Sequence, residues 1–237
     1  MIHLLARETR LFFTALMFFT RLPIPNWVGY RREYLNHSSR YFPLVGVLVG
    51  AIGAATFWLA QWAFPLLIAV LLSMVATIVV TGAFHEDGLA DSCDAFGGGW
   101  QKEQVLTIMK DSRIGTFGAV GLGLTLALKF FALTGMPPGL LPPALVAGHS
   151  LSRFASTTLI YTQQYVRHEG SKSKPLAHKM SLPELIAAGL FGLLPLLLLP
   201  GLMWAAAVPV FLVRWPVGRY FVRRIGGYTG DCLGAMQ

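Results

Sequence analysis

The stretch from residue 66 to residue 99, LLIAVLLSMVATIVVTGAFHEDGLADSCDAFGGG, passes without a break from an apolar run into an acidic, glycine-rich motif. The run from Leu66 to Phe84 is long enough to cross a bilayer as a helix. The motif behind it places four carboxylates within nine positions, from Glu86 to Asp94. Carboxylates at a membrane edge lose hydration and are retained where a cation compensates their charge. We interpret the motif as a divalent-metal site.

The composition indicates an integral membrane protein. Of the 237 residues, 54% are hydrophobic and only 13% are charged, and the mean hydropathy of +0.58 exceeds that of most soluble domains. The net charge of +8 is therefore interpreted as orienting apolar spans, and no nucleic-acid partner is expected. Cys93 and Cys232 share no spacing typical of a disulfide framework or a zinc site.

Apolar runs of about 20 residues recur along the chain and predict an all-α, polytopic helical bundle with about six transmembrane helices plus interfacial helices. The predicted spans are Tyr41–Phe64, Leu66–Phe84, Gly115–Gly135, Leu140–Tyr161, Leu185–Gly201 and Leu202–Phe221. Residues 1–40 predict an interfacial amino-terminal segment, because Arg7, Glu8 and Arg10 precede an apolar stretch. The whole of residues 1–237 is predicted to be a single integral-membrane catalytic domain.

Basic residues alternate between the connections, and this alternation predicts the orientation. The turns after Phe64, Gly135 and Gly201 carry almost no Lys or Arg, and the other connections carry many. Such connections face the cytoplasm, so we expect a multi-pass membrane protein whose candidate reactive groups face the cytoplasm. The predicted cytoplasmic basic residues are Arg31, Arg32, Arg40, Lys102, Lys110, Arg113, Arg167, Lys172, Lys174, Lys179, Arg223 and Arg224.

The acidic motif, part of a predicted cytosolic loop over residues 85–114, favours magnesium over zinc. Asp87, Asp91 and Asp94 are spaced so that a helix would place all three carboxylates on one face. Hard oxygen ligands suit Mg²⁺, which usually shares its coordination shell with substrate phosphates, so a diphosphate substrate is expected. A zinc-protease helix would need a second histidine at Leu89.

Two further segments are candidates for phosphate binding. Lys110, Ser112 and Arg113 precede a predicted span and are suited to phosphate oxygens, although positive-inside anchoring also explains the two basic residues. Before them, residues 101–110 predict a helix lying flat on the membrane with Val105, Leu106 and Met109 on one side.

The glycine-rich tail, residues 222–237, has glycines that let backbone amides approach a phosphate closely. Its candidate substrate-binding residues are Gly227, Thr229 and Gly230.

Two basic residues, Lys129 and Arg153, fall inside predicted spans, where a charge must face a cavity or a partner. Arg153 follows His149 and Ser150, and this polar stripe either lines a substrate cavity or has side chains that extend to the interface.

Several of these motifs together resemble the adenosylcobinamide-GDP ribazoletransferase (cobalamin synthase) family, in order and over nearly the whole chain. The motifs are RLPIP at 21–25, YFPLVG at 41–46, HEDGLAD at 85–91 with Asp94, KDSRIGT at 110–116, and GGYTGD at 226–231 running into LGA at 233–235. Ala95 stands where the family commonly has glycine. The family also usually continues past the tail motif into another apolar span, whereas this sequence ends at Gln237, so a terminal helix is expected to be missing.

The resemblance implies transfer of adenosylcobinamide phosphate from adenosylcobinamide-GDP to α-ribazole or α-ribazole 5′-phosphate, with release of GMP. It implies that Asp87, Asp91 and Asp94 hold Mg²⁺ on the diphosphate. It also implies that Glu86 or Asp231 completes the ligand set. His85 and Glu86 are both candidates for the base that activates the attacking hydroxyl.

Two alternatives belong to other classes. A cation-coupled transporter would use Asp87, Asp91, Lys129 and Arg153 as an ion path. A lipid-head-group phosphotransferase would also combine aspartates at a membrane edge with Mg²⁺. The sequence leaves open whether the chain forms a homo-oligomer.

Overall fold

Helices make up nearly all of the regular structure in the computed structural model, which describes residues 2–29, 32–166 and 180–237. The α-helices are α1 (Ile2–Phe19), α2 (Arg32–Ser38), α3 (Phe42–Ala60), α4 (Leu66–Thr81), α5 (Phe84–Gly98), α6 (Lys102–Ile108), α7 (Thr116–Thr134), α8 (Leu141–Thr162), α9 (Leu182–Leu193), α10 (Ala207–Ile225) and α11 (Gly230–Met236). Short 3₁₀ turns lie at Asn26–Val28, Ser39–Tyr41, Pro138–Leu140, Leu194–Leu198 and Gly201–Ala206. Within these ranges there is no β-strand, only one bridge between Tyr165 and Tyr228. The all-α prediction is confirmed.

Three helical segments are long and apolar enough to cross a bilayer, namely Tyr34–Ala60, Thr116–Thr134 and Gly201–Ile225. A fourth crossing results if α4 and α5 form one broken span. The helices indicate a membrane protein, but the predicted count of six spans is not confirmed. Helix α8 corresponds to a predicted span. It is continuous, but its apolar sequence contains polar residues that pack inside the bundle. The basic residues Arg31, Arg167, Lys172, Lys174 and Lys179 lie outside the described residues.

Close packing of α3 against α8 forms the centre of the bundle. A methyl group at Gly46 would lie 2.3 Å from the His149 carbonyl oxygen, and one at Gly50 would lie 2.6 Å from that of Leu145. Glycines four residues apart let two membrane helices approach closely. The contact fixes where the polar residues of α8 lie.

A sharp bend separates α4 from α5, at an angle of 87°. Gly82 and Ala83 both adopt left-handed backbone conformations, with φ of 66° and 57°. Such a conformation is strained for alanine. The Arg21 amide donates to the Val80 carbonyl at 2.8 Å and caps the end of α4. The bend turns the acidic motif away from the axis of α4. Residues 85–114, which the sequence predicts as a loop, are mainly helical.

Helix α6 differs from its prediction as a helix lying flat on the membrane. Val105, Leu106 and Met109 do share one side, but that side is buried in the protein core. Their apolar area is covered by other helices and does not face lipid. Exposed apolar side chains of the kind that lipid covers occur on α7, for example Leu128 and Phe131.

A polar cluster joins the amino-terminal helices to α9. The buried Glu184 carboxylate lies 2.5 Å from Arg40 and 2.7 Å from His37, and it accepts from the Ser181 amide at 2.8 Å. The pKa of Glu184 is influenced first by burial, which raises it. The hydrogen bonds from Ser181 and His37 and the charge of Arg40 outweigh that effect and lower the pKa to about 2. This cluster is internally satisfied.

Candidate active site

Helix α5 carries the acidic motif, and its helical backbone places Asp87, Asp91 and Asp94 on one face, as their spacing predicts. Glu86 and Asp87 lie in the first turn, where the partial positive charge of the helix amino terminus favours carboxylates. Asp87 is exposed, and Asp91 and Asp94 are half-buried.

Helix α11 adds a fourth carboxylate to this face. A methyl group at Gly88 would lie 3.0 Å from the Asp231 carbonyl oxygen and 3.3 Å from the Cα of Gly234. The absence of a side chain at Gly88 therefore lets α11 pack directly against α5. Asp91 is consequently repelled by Asp87, Asp231 and Asp94. Burial, reinforced by repulsion from Asp87, raises the pKa of Asp231 to about 6.

Asp94 has an additional structural contact. Its carboxylate accepts from the Gly115 amide at 2.7 Å and from the Gly118 amide at 2.8 Å. These amides belong to the start of α7, so Asp94 ties α5 to the amino terminus of α7. A methyl group at Gly118 would lie 2.3 Å from this carboxylate.

The chemistry of these donors fits Mg²⁺ held together with a substrate. Among the described residues no three His, Cys, Asp or Glu side chains form a ready-made metal-binding group. Within the same residues, no Lys or Arg forms an ion pair with Asp87, Asp91 or Asp231. Mg²⁺ commonly binds through one or two carboxylates, water and substrate phosphates, without an all-protein cage. This uncompensated acidic face suits that mode.

The predicted phosphate-binding residues before α7 are exposed. Arg113 is 87% exposed at its side chain and forms a bidentate pair with Asp111, at 2.6 Å for the closest atoms. The hydrogen bonds from Arg113 lower the pKa of Asp111. Lys110 and Ser112 are also exposed. Phosphate binding by these three residues stays a prediction, and for Arg113 it requires exchanging Asp111 for the phosphate.

The tail residues have different surroundings. Gly227 lies where a methyl group would be 2.0 Å from the Gln164 carbonyl oxygen, so its missing side chain serves chain packing. Thr229 is buried and accepts from the Cys232 amide, which caps α11. A side chain at Gly230 would meet no atom within 4 Å. Of the three candidate residues Gly227, Thr229 and Gly230, Gly230 is therefore the one that borders open space.

A cavity of about 480 Å³ lies on another side of α5, between α4, α7, α8 and α11. His85 and Glu86 line it from α5, Lys129 from α7, and His149 and Arg153 from α8. The His85 ring stacks on Phe19, at 5.5 Å between centroids. The two candidate bases, His85 and Glu86, therefore both line the cavity, and they lie away from the face of α5 that carries the aspartates.

Arg153 is 1% exposed and does not extend to the interface. Its Nη1 donates to the His149 carbonyl at 3.0 Å. The Gln237 amide, oriented to suit its neighbours, accepts from Arg153 at 3.2 Å and donates to His85 Nε2 at 2.9 Å. The structure thus favours the cavity-lining interpretation of the polar stripe.

Comparison with known sequences decides the family. The sequence profile described as cobalamin-5-phosphate synthase matches residues 11–237. The chain belongs to the cobalamin-5-phosphate synthase family.

Curated relatives of this family member agree along almost the whole chain. Two are called adenosylcobinamide-GDP ribazoletransferase, from Shewanella frigidimarina and Ralstonia pickettii, and each is 51% identical to this chain. The first match covers 98% of this chain and 90% of the relative, and the second covers 94% and 89%. A relative of the same name from Shewanella woodyi is 46% identical over 99% of this chain and 93% of its own length. No solved structure matches.

Two arginines whose roles the sequence does not predict help to position the site in this cobalamin-5-phosphate synthase family member. Arg224 donates to the Gly99 carbonyl at 2.5 Å and caps the end of α5. Arg21 packs against Gly82 at the bend. The sequence signal for Arg21 is its place in the RLPIP motif, whereas the sequence marks Arg224 only as a basic residue of a cytoplasmic connection.

Proposed function

We propose that this chain transfers adenosylcobinamide phosphate from adenosylcobinamide-GDP to α-ribazole or α-ribazole 5′-phosphate and releases GMP. The observation that carries the proposal is the match of residues 11–237 to the cobalamin-5-phosphate synthase family. Relatives of this chain are named adenosylcobinamide-GDP ribazoletransferase, and that name states the activity. The acidic face of α5 and α11 supports it, because a diphosphate donor needs charge neutralisation where its bond breaks.

The reaction exchanges the phosphoanhydride bond of the diphosphate for a phosphate ester bond. A ribose hydroxyl of the acceptor attacks the phosphorus on the corrinoid side of the diphosphate, and the bridging bond to GMP breaks. GMP leaves with the electrons of that bond, and the hydroxyl proton passes to a base. His85 and Glu86 are the candidate bases, since both line the cavity next to the first turn of α5.

Asp87, Asp91, Asp94 and Asp231 are proposed to hold Mg²⁺, with Glu86 as an alternative ligand. When bound, the ion would neutralise the diphosphate and stabilise charge on the departing GMP. The carboxylates themselves orient the donor through their fixed positions on α5 and α11. Lys110, Ser112 and Arg113 are proposed to contact phosphate oxygens of the donor, with Gly227, Thr229 and Gly230 on the tail side.

The membrane arrangement proposed is that of a bacterial inner-membrane protein with about six crossings and a cytoplasmic active site. The three long apolar helices support membrane insertion. Helices α4, α8 and α9 would supply the remaining crossings. A cysteine introduced at the exposed Glu103 in a Cys93→Ser background tests the orientation. Membrane-impermeant maleimide should label it in inverted vesicles and not in intact cells.

The function is tested with purified protein in lipid nanodiscs. We expect GMP release when GDP-activated corrinoid, α-ribazole 5′-phosphate and Mg²⁺ are supplied together, and none after treatment with EDTA until Mg²⁺ is restored. A nucleotide-activated lipid alcohol offered in parallel should give no product. Lipid transfer without corrinoid transfer would contradict the proposal, and an EDTA-resistant rate would contradict its metal.

Neither alternative class is favoured by the comparisons. A transporter would need a path that includes the acids together with Lys129 and Arg153. In the structure Lys129 and Arg153 line the cavity with Glu86, while Asp87 and Asp91 belong to a different face of α5. Absence of corrinoid or cation uptake in sealed vesicles that retain GMP release would exclude transport.

A further inference from the structure

The geometry points to Lys129 and Arg153 as the residues that bind the 5′-phosphate of the acceptor, inside the cavity between α4, α5, α7 and α8. This inference rests on the proposed function and names a specificity site within it. The phosphate concerned takes no part in bond exchange, so it needs a cationic site separate from the acidic face.

The cavity has the charge for such a group. Among the side chains that line it, Lys129 and Arg153 are positive and Glu86 is negative, which leaves one positive side-chain charge in excess when His85 and His149 are neutral. Among the described residues, Lys129 forms no hydrogen bond or ion pair. A phosphate monoester would provide the missing acceptor oxygens.

Unused polar atoms in the wall support a polar ligand. The Nε of Arg153, the Nε2 of His149 and the Oε2 of Glu86 are buried, and no described residue offers any of them a hydrogen bond. Buried donors and acceptors are normally paired, because leaving them unpaired costs free energy. Arg153 Nε and His149 Nε2 could donate to an anion, and Glu86 Oε2 could accept from a ribose hydroxyl, once these side chains turn towards the cavity.

The size of the cavity selects the acceptor over the donor. About 480 Å³ is within the range of pockets that enclose a single small ligand. A corrinoid linked to GDP is far too large, whereas a nucleotide fits. Leu122 and Leu126 provide apolar wall for an aromatic base.

The product named by the family, cobalamin 5-phosphate, also requires a site for this group. A cobalamin 5-phosphate product retains a phosphate that was not transferred. At the aspartate face that phosphate would meet like charge and compete with the diphosphate. At Lys129 and Arg153 it meets opposite charge, and the ribose lies towards His85 and Glu86.

The experiment compares kcat/KM for α-ribazole 5′-phosphate with kcat/KM for α-ribazole at saturating donor. Lys129→Met should lower the value for the phosphorylated acceptor by about 10- to 100-fold and change the value for α-ribazole by less than about 2-fold. Lys129→Arg should restore most of the preference. Arg153→Lys, which keeps the charge and loses the bidentate geometry, should give an intermediate loss.

Arg219→Gln is the matched control, because Arg219 is an exposed cation stacked on Trp215 outside the cavity. It should keep the wild-type preference. The inference would be overturned if Lys129→Met left the ratio of the two kcat/KM values unchanged, or if it raised only the KM for the GDP-activated donor. Neither result would contradict the transfer activity itself. Wild-type protein that turns over neither acceptor would instead refute the proposed function.

Discussion

The two working sides of α5 differ in charge, although neighbouring residues supply them. The face with Asp87 and Asp91, completed by Asp231, presents carboxylates that repel one another. The cavity side presents Glu86 one position away, together with the cations Lys129 and Arg153. One short helix thus separates a surface of mutually repelling carboxylates from a cavity in which two of the three charged side chains are cations.

Under the proposed function, this difference would let one protein bind two phosphate groups at separate sites. A reacting diphosphate that carries Mg²⁺ suits the acidic face, and a bystander phosphate suits the cationic cavity. The ribose hydroxyl between them would meet the diphosphate at the first turn of α5. Four substitutions can break or sharpen this comparison.

The largest effect is expected for Asp91→Asn on the acidic face. Removing one charge from the proposed ligand set should lower the rate of GMP release by at least about 100-fold at saturating Mg²⁺. The KM for the acceptor should stay unchanged, because the cavity is not altered. Glu103→Gln, an exposed carboxylate on α6, is the control. Near-normal turnover would remove Asp91 from the ligand set.

A smaller loss is expected for Gly88→Ala at the contact between α5 and α11. The added methyl group would lie 3.0 Å from the Asp231 carbonyl oxygen and would push Asp231 away from Asp87. Overpacking of this kind costs about 1–3 kcal/mol, and we expect about a 10-fold lower kcat from the misplaced carboxylate. Thermal unfolding and kinetics measure both.

Gly123→Ala provides the comparison for that variant, because a methyl group there meets no atom within 4 Å. It should leave kcat unchanged and should not lower the Tm. If both glycine variants behave alike, close packing of α11 does not position the acidic face.

Glu184→Gln should affect stability and leave both sides of α5 active. Loss of the charged hydrogen bonds to Arg40 and His37 should cost about 2 kcal/mol of unfolding free energy. Since the folded pKa of Glu184 is lowered from 4.5 to about 2, its stabilisation is present above pH 4.5 and lost as the pH falls towards 2. Unfolding midpoints of wild type and variant should therefore converge in acid. A constant difference at every pH would argue against this charge effect.

The smallest effect is expected for Ala83→Gly at the bend between α4 and α5. Glycine relieves the strain of φ at 57° but makes the unfolded chain more flexible. The net gain should be at most about 1 kcal/mol, with unchanged turnover and acceptor preference. A clear loss of activity would show that the alanine methyl group, and not only the backbone, positions α5.

Local patterns in the sequence were enough to predict the helices and the acidic face of α5. Helical spacing is a property of neighbouring residues, so Asp87, Asp91 and Asp94 could be placed on one side before any packing was known. The motif order also indicated the family. The count of six spans is not confirmed, because hydropathy does not distinguish a lipid-facing helix from α8, whose polar residues pack inside the bundle.

What the sequence alone determined is therefore the chemical character of each segment: apolar helices, an acidic motif and basic flanks. Only the tertiary structure brought Asp231 beside Asp87 and placed Lys129 and Arg153 in one cavity with Glu86. Residues distant in the chain meet through glycine contacts, such as Gly46 of α3 against α8 and Gly88 of α5 against α11. Those contacts depend on the shapes of two surfaces at once, which no single stretch of sequence specifies.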